Sequence, residues 1–394
     1  MIERTGTRAL LLAAALLGAA AAQAATLTLG VLSRADDERL DSRRVELAYL
    51  GHPGGPMTQA VEMAVQEAGF ELGAAKLQVK LDVQSARNAG DMRTALQKLE
   101  KAGAAAVLLD VPAAWIVPAA PAVKLPLLNA GDAADGLRQG CVAHLLHTVP
   151  SERMRADALA QMLSARRWSR VLVLHGVRPE DMARLAVVQG ALRRYALKPV
   201  ALKAFKLSSD PRERDLANPL LLTGAGAASD YDAVWVVDTD GEFARALPYR
   251  TALPRPVVGD AGLVADAWAP HFERFGAPQL SRRFARAAQR PMTGADWAAY
   301  MAAKAVLQAA LEQPAQPSAA QVLAALTRAD FALDGFKGVR LSFRPWDRQL
   351  RQPLMLTDGT GVIDTAPVGG IMHPKNVLDT LGADAAESTC RAKP

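Results

Sequence analysis

The chain has 394 residues, 50% of them hydrophobic, with 46 Lys and Arg against 40 Asp and Glu. A chain this long exceeds what one hydrophobic core fills, so two lobes of ordinary domain size are expected. The positive excess is mild and contains no Lys/Arg run, which argues against nucleic acid and membrane surfaces as partners; aromatics at 5% argue against a sugar site of stacked rings.

Residues 1–25 read as a secretory signal. Arg4 and Arg8 precede an apolar run from Ala9 to Ala22, and Ala22, Gln23 and Ala24 supply an A-x-A cleavage pattern. The run is short for a membrane span of roughly 20 residues, has no stop-transfer cluster behind it, and no cysteine stands at the cleavage point. A free periplasmic protein without a membrane anchor, starting near Ala25 or Thr26, is expected.

Short apolar runs then alternate with segments of helical period, the pattern of a doubly wound α/β protein. Strands are predicted at Leu27 to Val31, Leu77 to Val83, Ala104 to Leu109, Leu127 to Asn129, Val171 to Leu174, Val200 to Phe205, Ala233 to Val237 and Val257 to Gly259. Helices are predicted near Met57 to Ala68, Asp91 to Lys101, Glu152 to Arg166, Pro179 to Tyr195 and Arg212 to Leu222. The last third turns helical, at Gln279 to Gln289, Gly294 to Leu311 and Ser318 to Thr327, followed by strand-like runs at Val339 to Phe343 and Leu354 to Leu356. Cys141 and Cys390 are the two cysteines. In an oxidising compartment an even count reads most simply as one bridge, which would pin the C-terminal tail, with two free thiols as the alternative.

The exported start "TLTLGVLSR", the helix "GPMTQAVEMAVQEAG", and the stretches "LPLLNAGDAADGLR" and "LLHTVPSERMRADALAQMLSARRWSRVLVLHG" resemble type I periplasmic solute-binding proteins of the leucine/isoleucine/valine-binding family. "LPYRTALPRPVVGDAGLV", "RFARAAQRPMT" and "GFKGVRLSFRPWDRQLRQPLML" resemble the branch associated with PQQ-dependent alcohol dehydrogenase systems. The resemblance implies a monomer of two lobes, each an open, mostly parallel sheet flanked by helices: 26–148 with 265–335, and 149–264 with 336–370, leaving 371–394 as a tail. It also implies capture of a small molecule between the lobes and delivery to an inner-membrane ABC permease, without catalysis or cofactor.

Ligands of open α/β sheets sit beyond the carboxyl ends of the strands. Where the family's amino-acid binders place hydroxyl-bearing loops, this chain has Leu109 to Ala113, with Asp110, and Asn129 to Ala133, with Asp132. Asp238, Asp240 and Asp260 follow later strands. Five strand-end acids predict a cleft that prefers a cation, an amine or a polyol to a simple zwitterion, since a buried carboxylate beside an anion is costly. Solvated acids with capping duties are the competing reading. The candidate ligand-binding set is Arg34, Asp110, Asn129, Asp132, His175, Asp238, Asp240 and Asp260, with Trp115 as an apolar wall.

Asp238 to Glu242 resembles the start of a calcium loop but lacks its twelfth-position Glu, and the glycines at 224 and 226 sit in the wrong context for a dinucleotide fingerprint. His144 and His147 fall in a strand-like run and point to opposite faces, which favours structural roles. No nucleophile elbow, zinc helix or phosphate loop is present. A sensor or accessory protein of a PQQ-dependent alcohol oxidation system is the main alternative, and a hydrolase or other enzyme is the third reading.

Overall fold

The computed structural model describes residues 25–41, 54–206, 210, 212, 231–251, 253–313, 317–370 and 372–390. The predicted leader and the predicted helix from Arg212 to Leu222 lie outside the described residues, apart from their end residues Ala25 and Arg212.

The first sheet holds β1 (Ala25–Arg34), β2 (Leu77–Ala86), β3 (Ala106–Asp110), β4 (Leu127–Asn129) and β5 (Leu145–His147), all parallel, in the order β2-β1-β3-β4-β5. The second holds β6 (Arg170–His175), β7 (Lys198–Ala204), β8 (Ala233–Val237) and β9 (Val257–Gly259), again parallel, in the order β7-β6-β8-β9. The central strands are continuous apolar runs because helices cover both faces: Leu27, Leu29, Val31 and Leu108 pack to one side of the first sheet, Leu32, Val107 and Leu109 to the other. The edge strand β2 is buried only at its ends, Leu77 and Ala86, and largely alternates half-buried and exposed residues between them.

Ten helices are named here: α1 (Thr58–Glu67), α2 (Gly69–Ala74), α3 (Ala89–Lys101), α4 (Ala113–Ala119), α5 (Asp135–Gln139), α6 (Glu152–Ala165), α7 (Pro179–Arg194), α8 (Ala277–Ala288), α9 (Gly294–Leu311) and α10 (Ala319–Leu326). The late helix α9 returns to the first sheet. Its alanines let it pack close on nearly every side, and Trp297, Met301 and Val306 join Leu29, Leu108 and Leu128 in one core. Helices α6 and α7 cover one face of the second sheet through Leu159, Leu163, Leu185 and Leu192. The fold is thus two-lobed α/β, each lobe a parallel sheet flanked by helices.

The late strands differ from expectation. The run from Val339 to Phe343 contributes only β12 (Arg340–Leu341), paired with β11 (Leu333–Asp334), because Leu341, Phe343 and Leu350 fold down into the core of the first sheet. An antiparallel sheet forms from β10 (Val264–Asp266), β13 (Leu354–Thr357) and β14 (Val362–Ala366) beside the second lobe. The short α2, α4 and α5 escape the periodicity argument because they are too brief to show an amphipathic repeat.

Candidate functional site

The strand ends of the first sheet are built mainly from their own polar groups. Asn129 is fully buried; its amide donates to Asp132 O at 2.7 Å and meets His147 Nδ1 at 3.1 Å, while its Oδ1 accepts the Asp132 N–H at 3.0 Å. The Asp132 carboxylate accepts the N–H of Ala113, the first residue of α4, at 2.7 Å and that of Ala134 at 2.8 Å. Asn129 and Asp132 therefore build the turns that end these strands. Asp110 is neutralised in place: Arg39 Nη2 lies 2.9 Å from both its oxygens. Burial works against the charge on Arg39, yet Asp37 and Asp110 raise its pKa above the ordinary value. Arg34 ends β1 with its Nε buried and unpartnered. Trp115, half-buried on α4, packs against the first-sheet core.

The second sheet ends differently. Asp240 pairs with Arg178 Nη1 at 2.6 Å, and Asp260 with Arg184 Nη1 at 2.7 Å, the same guanidinium reaching Glu152 at 3.0 Å. Asp238 is buried, accepts the Ala244 N–H at 2.8 Å through Oδ2, and leaves Oδ1 without a partner. Burial first, then the neighbouring Asp240 and Asp260 carboxylates, push its carboxyl up to about 6. His175 donates from Nδ1 to its neighbour Gly176 O at 2.8 Å. Of the five acids expected to favour a cation, three hold arginines, Asp132 holds backbone N–H groups, and Asp238 is buried. Among the described residues no cluster of three or more His, Cys, Asp or Glu side chains could hold a metal.

Two of the segments that join the lobes are zipped together. Leu350 N–H donates to His147 O at 2.8 Å, His147 N–H to Arg348 O at 3.0 Å, and Gln352 Nε2 to Thr148 O at 2.8 Å. Arg138, buried, reaches Val149 O at 2.7 Å and Gln349 Oε1 at 3.0 Å; burial pulls its pKa down to about 10. His147 is held neutral by burial and by the Arg138 charge. Cys141 and Cys390 are bonded, with Cα atoms 5.1 Å apart. The tail is also held by Arg344 to Asp379 at 2.9 Å and by Gly382 N–H to Asp157 at 2.8 Å.

A cavity of about 360 Å³ opens at the junction of the second lobe with the 264–270 segment, lined by α6, α7, the end of β8 and the turn before α9. Of the predicted residues it takes in only Asp260; the first-sheet loops do not reach it. Arg39, Arg184, Arg155 and the buried Asp181, which accepts both the N–H (2.9 Å) and the hydroxyl (2.6 Å) of Thr239, were not anticipated. One signal was available: Arg184 sits on α7 beside the buried stripe of Leu185 and Val188, an unusual place for a charge.

No protein-family model matches the chain, and no curated protein is a significant sequence match. Solved structures do match. An ABC transporter substrate-binding protein from Desulfitobacterium hafniense in complex with Leu superposes with a TM-score of 0.64 at 17% identity, over 85% of this chain and 98% of that chain. A periplasmic binding protein from Burkholderia mallei gives 0.66 at 12%, over 94% and 99%. A branched-chain amino acid transporter substrate-binding protein from Streptococcus pneumoniae in complex with isoleucine gives 0.62 at 16%, over 86% and 98%. With its two parallel sheets, paired crossovers and these matches, the chain has the two-lobed fold of periplasmic solute-binding proteins.

Proposed function

We propose that this protein is the periplasmic substrate-binding component of an ABC transporter, capturing a small solute between its lobes and delivering it to an inner-membrane permease. The observation that carries this reading is the joint between two separately cored sheets, where the His147 and Leu350 segments pair and Arg138 holds both. Such a joint lets each lobe move as a rigid shell, and contacts made with both lobes favour the closed form. Catalysis is not required. The division of the lobes follows the cores: 26–148 with the helices from 265 to 335 on one side, 149–264 and the late strands on the other, with 336–350 as part of the joint.

The solute is alcohol-derived, in keeping with the resemblance of "LPYRTALPRPVVGDAGLV" and "GFKGVRLSFRPWDRQLRQPLML" to proteins of PQQ-dependent alcohol dehydrogenase systems. An amine has less support, because Arg39, Arg178 and Arg184 already occupy Asp110, Asp240 and Asp260. The test is a thermal-shift screen of alcohols, hydroxy acids, amines and amino acids, followed by calorimetry. A solute that binds the folded state raises stability as RT ln(1 + [L]/Kd). An alcohol or hydroxy compound is expected to give the largest rise; hydrolysis or oxidation of a stabilising solute by the pure protein would overturn the reading.

A further inference from the structure

The C-terminal segment 372–390 is fastened to both sheets. On the side of the second sheet, Leu381 is fully buried in the core that α6 and α7 share with it, and the Gly382 carbonyl accepts from Arg194 Nη1 at 3.1 Å. Glu387 completes this anchorage, meeting Arg153 of α6 at 2.5 Å and Arg194 of α7 at 2.9 Å. Three residues later the segment is fastened to the layer of the first sheet, where Cys390 is bonded to Cys141, which lies between α5 and β5.

Only residues 388 and 389 separate the two attachments, and three steps of extended chain span at most about 11 Å. The joint touches the same segment, because Arg344, 1% exposed, donates to the Leu378 and Leu381 carbonyls at 3.0 and 2.6 Å. On the other side Arg138 of α5, three residues before Cys141, holds Val149 and Gln349 of the joint. Segment, joint and the two sheets thus form a closed ring. Leu381 and Glu387 already keep the tail from fraying, so the bond to the first lobe adds little to its order. What that bond adds is a restraint between the lobes. Along this side they part only if Glu387 leaves its arginines, Leu381 leaves its core, or the sulfur bond opens.

We propose that segment 372–390 is a strap that limits how far the two lobes swing apart, with the Cys141–Cys390 bond as its clasp. The inference rests on the reading of the chain as two lobes that close over a solute, and it adds a restraint to that motion. A shorter swing narrows the range of open forms, which leaves a larger share of molecules near the closed geometry before any solute arrives. Opening the clasp frees the strap beyond Glu387 and restores the wider range.

Pulsed electron resonance reads the swing directly. Spin labels are attached at Lys101 and Lys198, exposed positions of the first and second lobe, through azide-bearing residues that leave the two cysteines bonded. Distances are collected on the full chain without solute, so a failure of the transport reading shows separately, as a thermal-shift screen in which no solute stabilises the protein. The intact chain is expected to give one narrow distribution, and Cys390→Ser one at least about twofold broader and shifted to longer distance. Three glycines inserted after Ser388 keep the clasp but slacken the strap. That variant is expected to broaden the distribution as Cys390→Ser does, and it carries the test alone should Cys390→Ser fail to fold. Widths unchanged in both variants, with circular dichroism intact, would overturn the strap. Broadening in Cys390→Ser without broadening in the insertion variant would overturn it too, since the bond would then serve the fold and not the swing.

Discussion

The strand-end acids of the two sheets are spent in two ways, Asp132 in the first and Asp238 in the second on backbone N–H groups, Asp110 in the first and Asp240 and Asp260 in the second on arginines. In the first sheet Asn129 and Asp132 turn inward and build the loops, so their polarity is consumed by backbone groups. In the second sheet Asp240 and Asp260 turn toward arginines on or beside α7 and form ion pairs about a quarter exposed. A carboxylate after a strand therefore says little by itself; what it faces decides whether it caps, pairs or waits for a ligand. Groups spent on buried backbone and groups spent on arginines should accordingly respond differently to their loss.

The largest effect is expected where the first lobe is tied to the tail. Cys390→Ser opens the Cys141 bond, which closes a loop 249 residues apart in sequence, and should cost about 2–5 kcal/mol; chemical denaturation with and without reductant measures it, and the variant should be insensitive to reductant. Next comes Asn129→Ala, which leaves the Asp132 N–H, the Asp132 carbonyl and His147 without their buried partner and should cost roughly 2–4 kcal/mol. Asp240→Asn in the second lobe removes only a partly exposed pair with Arg178 and should cost less than about 1 kcal/mol. Equal losses for Asn129→Ala and Asp240→Asn would erase that contrast.

A pH scan sharpens the same comparison. Asp157 on α6 is pushed up from 3.8 to about 7, by burial first, and Asp238 to about 6. A carboxyl whose folded pKa exceeds its unfolded value binds its proton more tightly when folded. Its contribution is therefore full below about 4 and is lost as pH rises through the folded value. Asp181 and Asp37 have the opposite sign, lowered below 3.8, and act only at more acid pH. Stability should fall as pH rises from about 4 to about 7, and Asp157→Asn should flatten that slope most. A slope unchanged in both Asp157→Asn and Asp238→Asn would remove these groups from the account.

Much of the scaffold was legible because it is local. Buried strands such as Ala233–Val237 are unbroken apolar runs, and α9 carries its own start signal in Thr293, whose hydroxyl accepts from Asp296 N–H. The two cysteines could be paired by counting. The site was less legible because its partners are distant: Arg39 meets Asp110 across 71 residues, Arg184 meets Asp260 across 76, and Arg138 meets Gln349 across 211. The turn-building role of Asn129 was not read from the sequence, although a clue existed. It and His147 end neighbouring apolar runs, and they fall at the same register position of β4 and β5, where two buried polar side chains satisfy each other.

The central claim is that two lobes joined at a paired hinge close over a solute. Small-angle scattering of the full protein, with and without a saturating amount of the solute that gives the largest thermal shift, tests it most directly. The account predicts a smaller radius of gyration on binding, reversed when the solute is dialysed away. An unchanged radius at full saturation would contradict it.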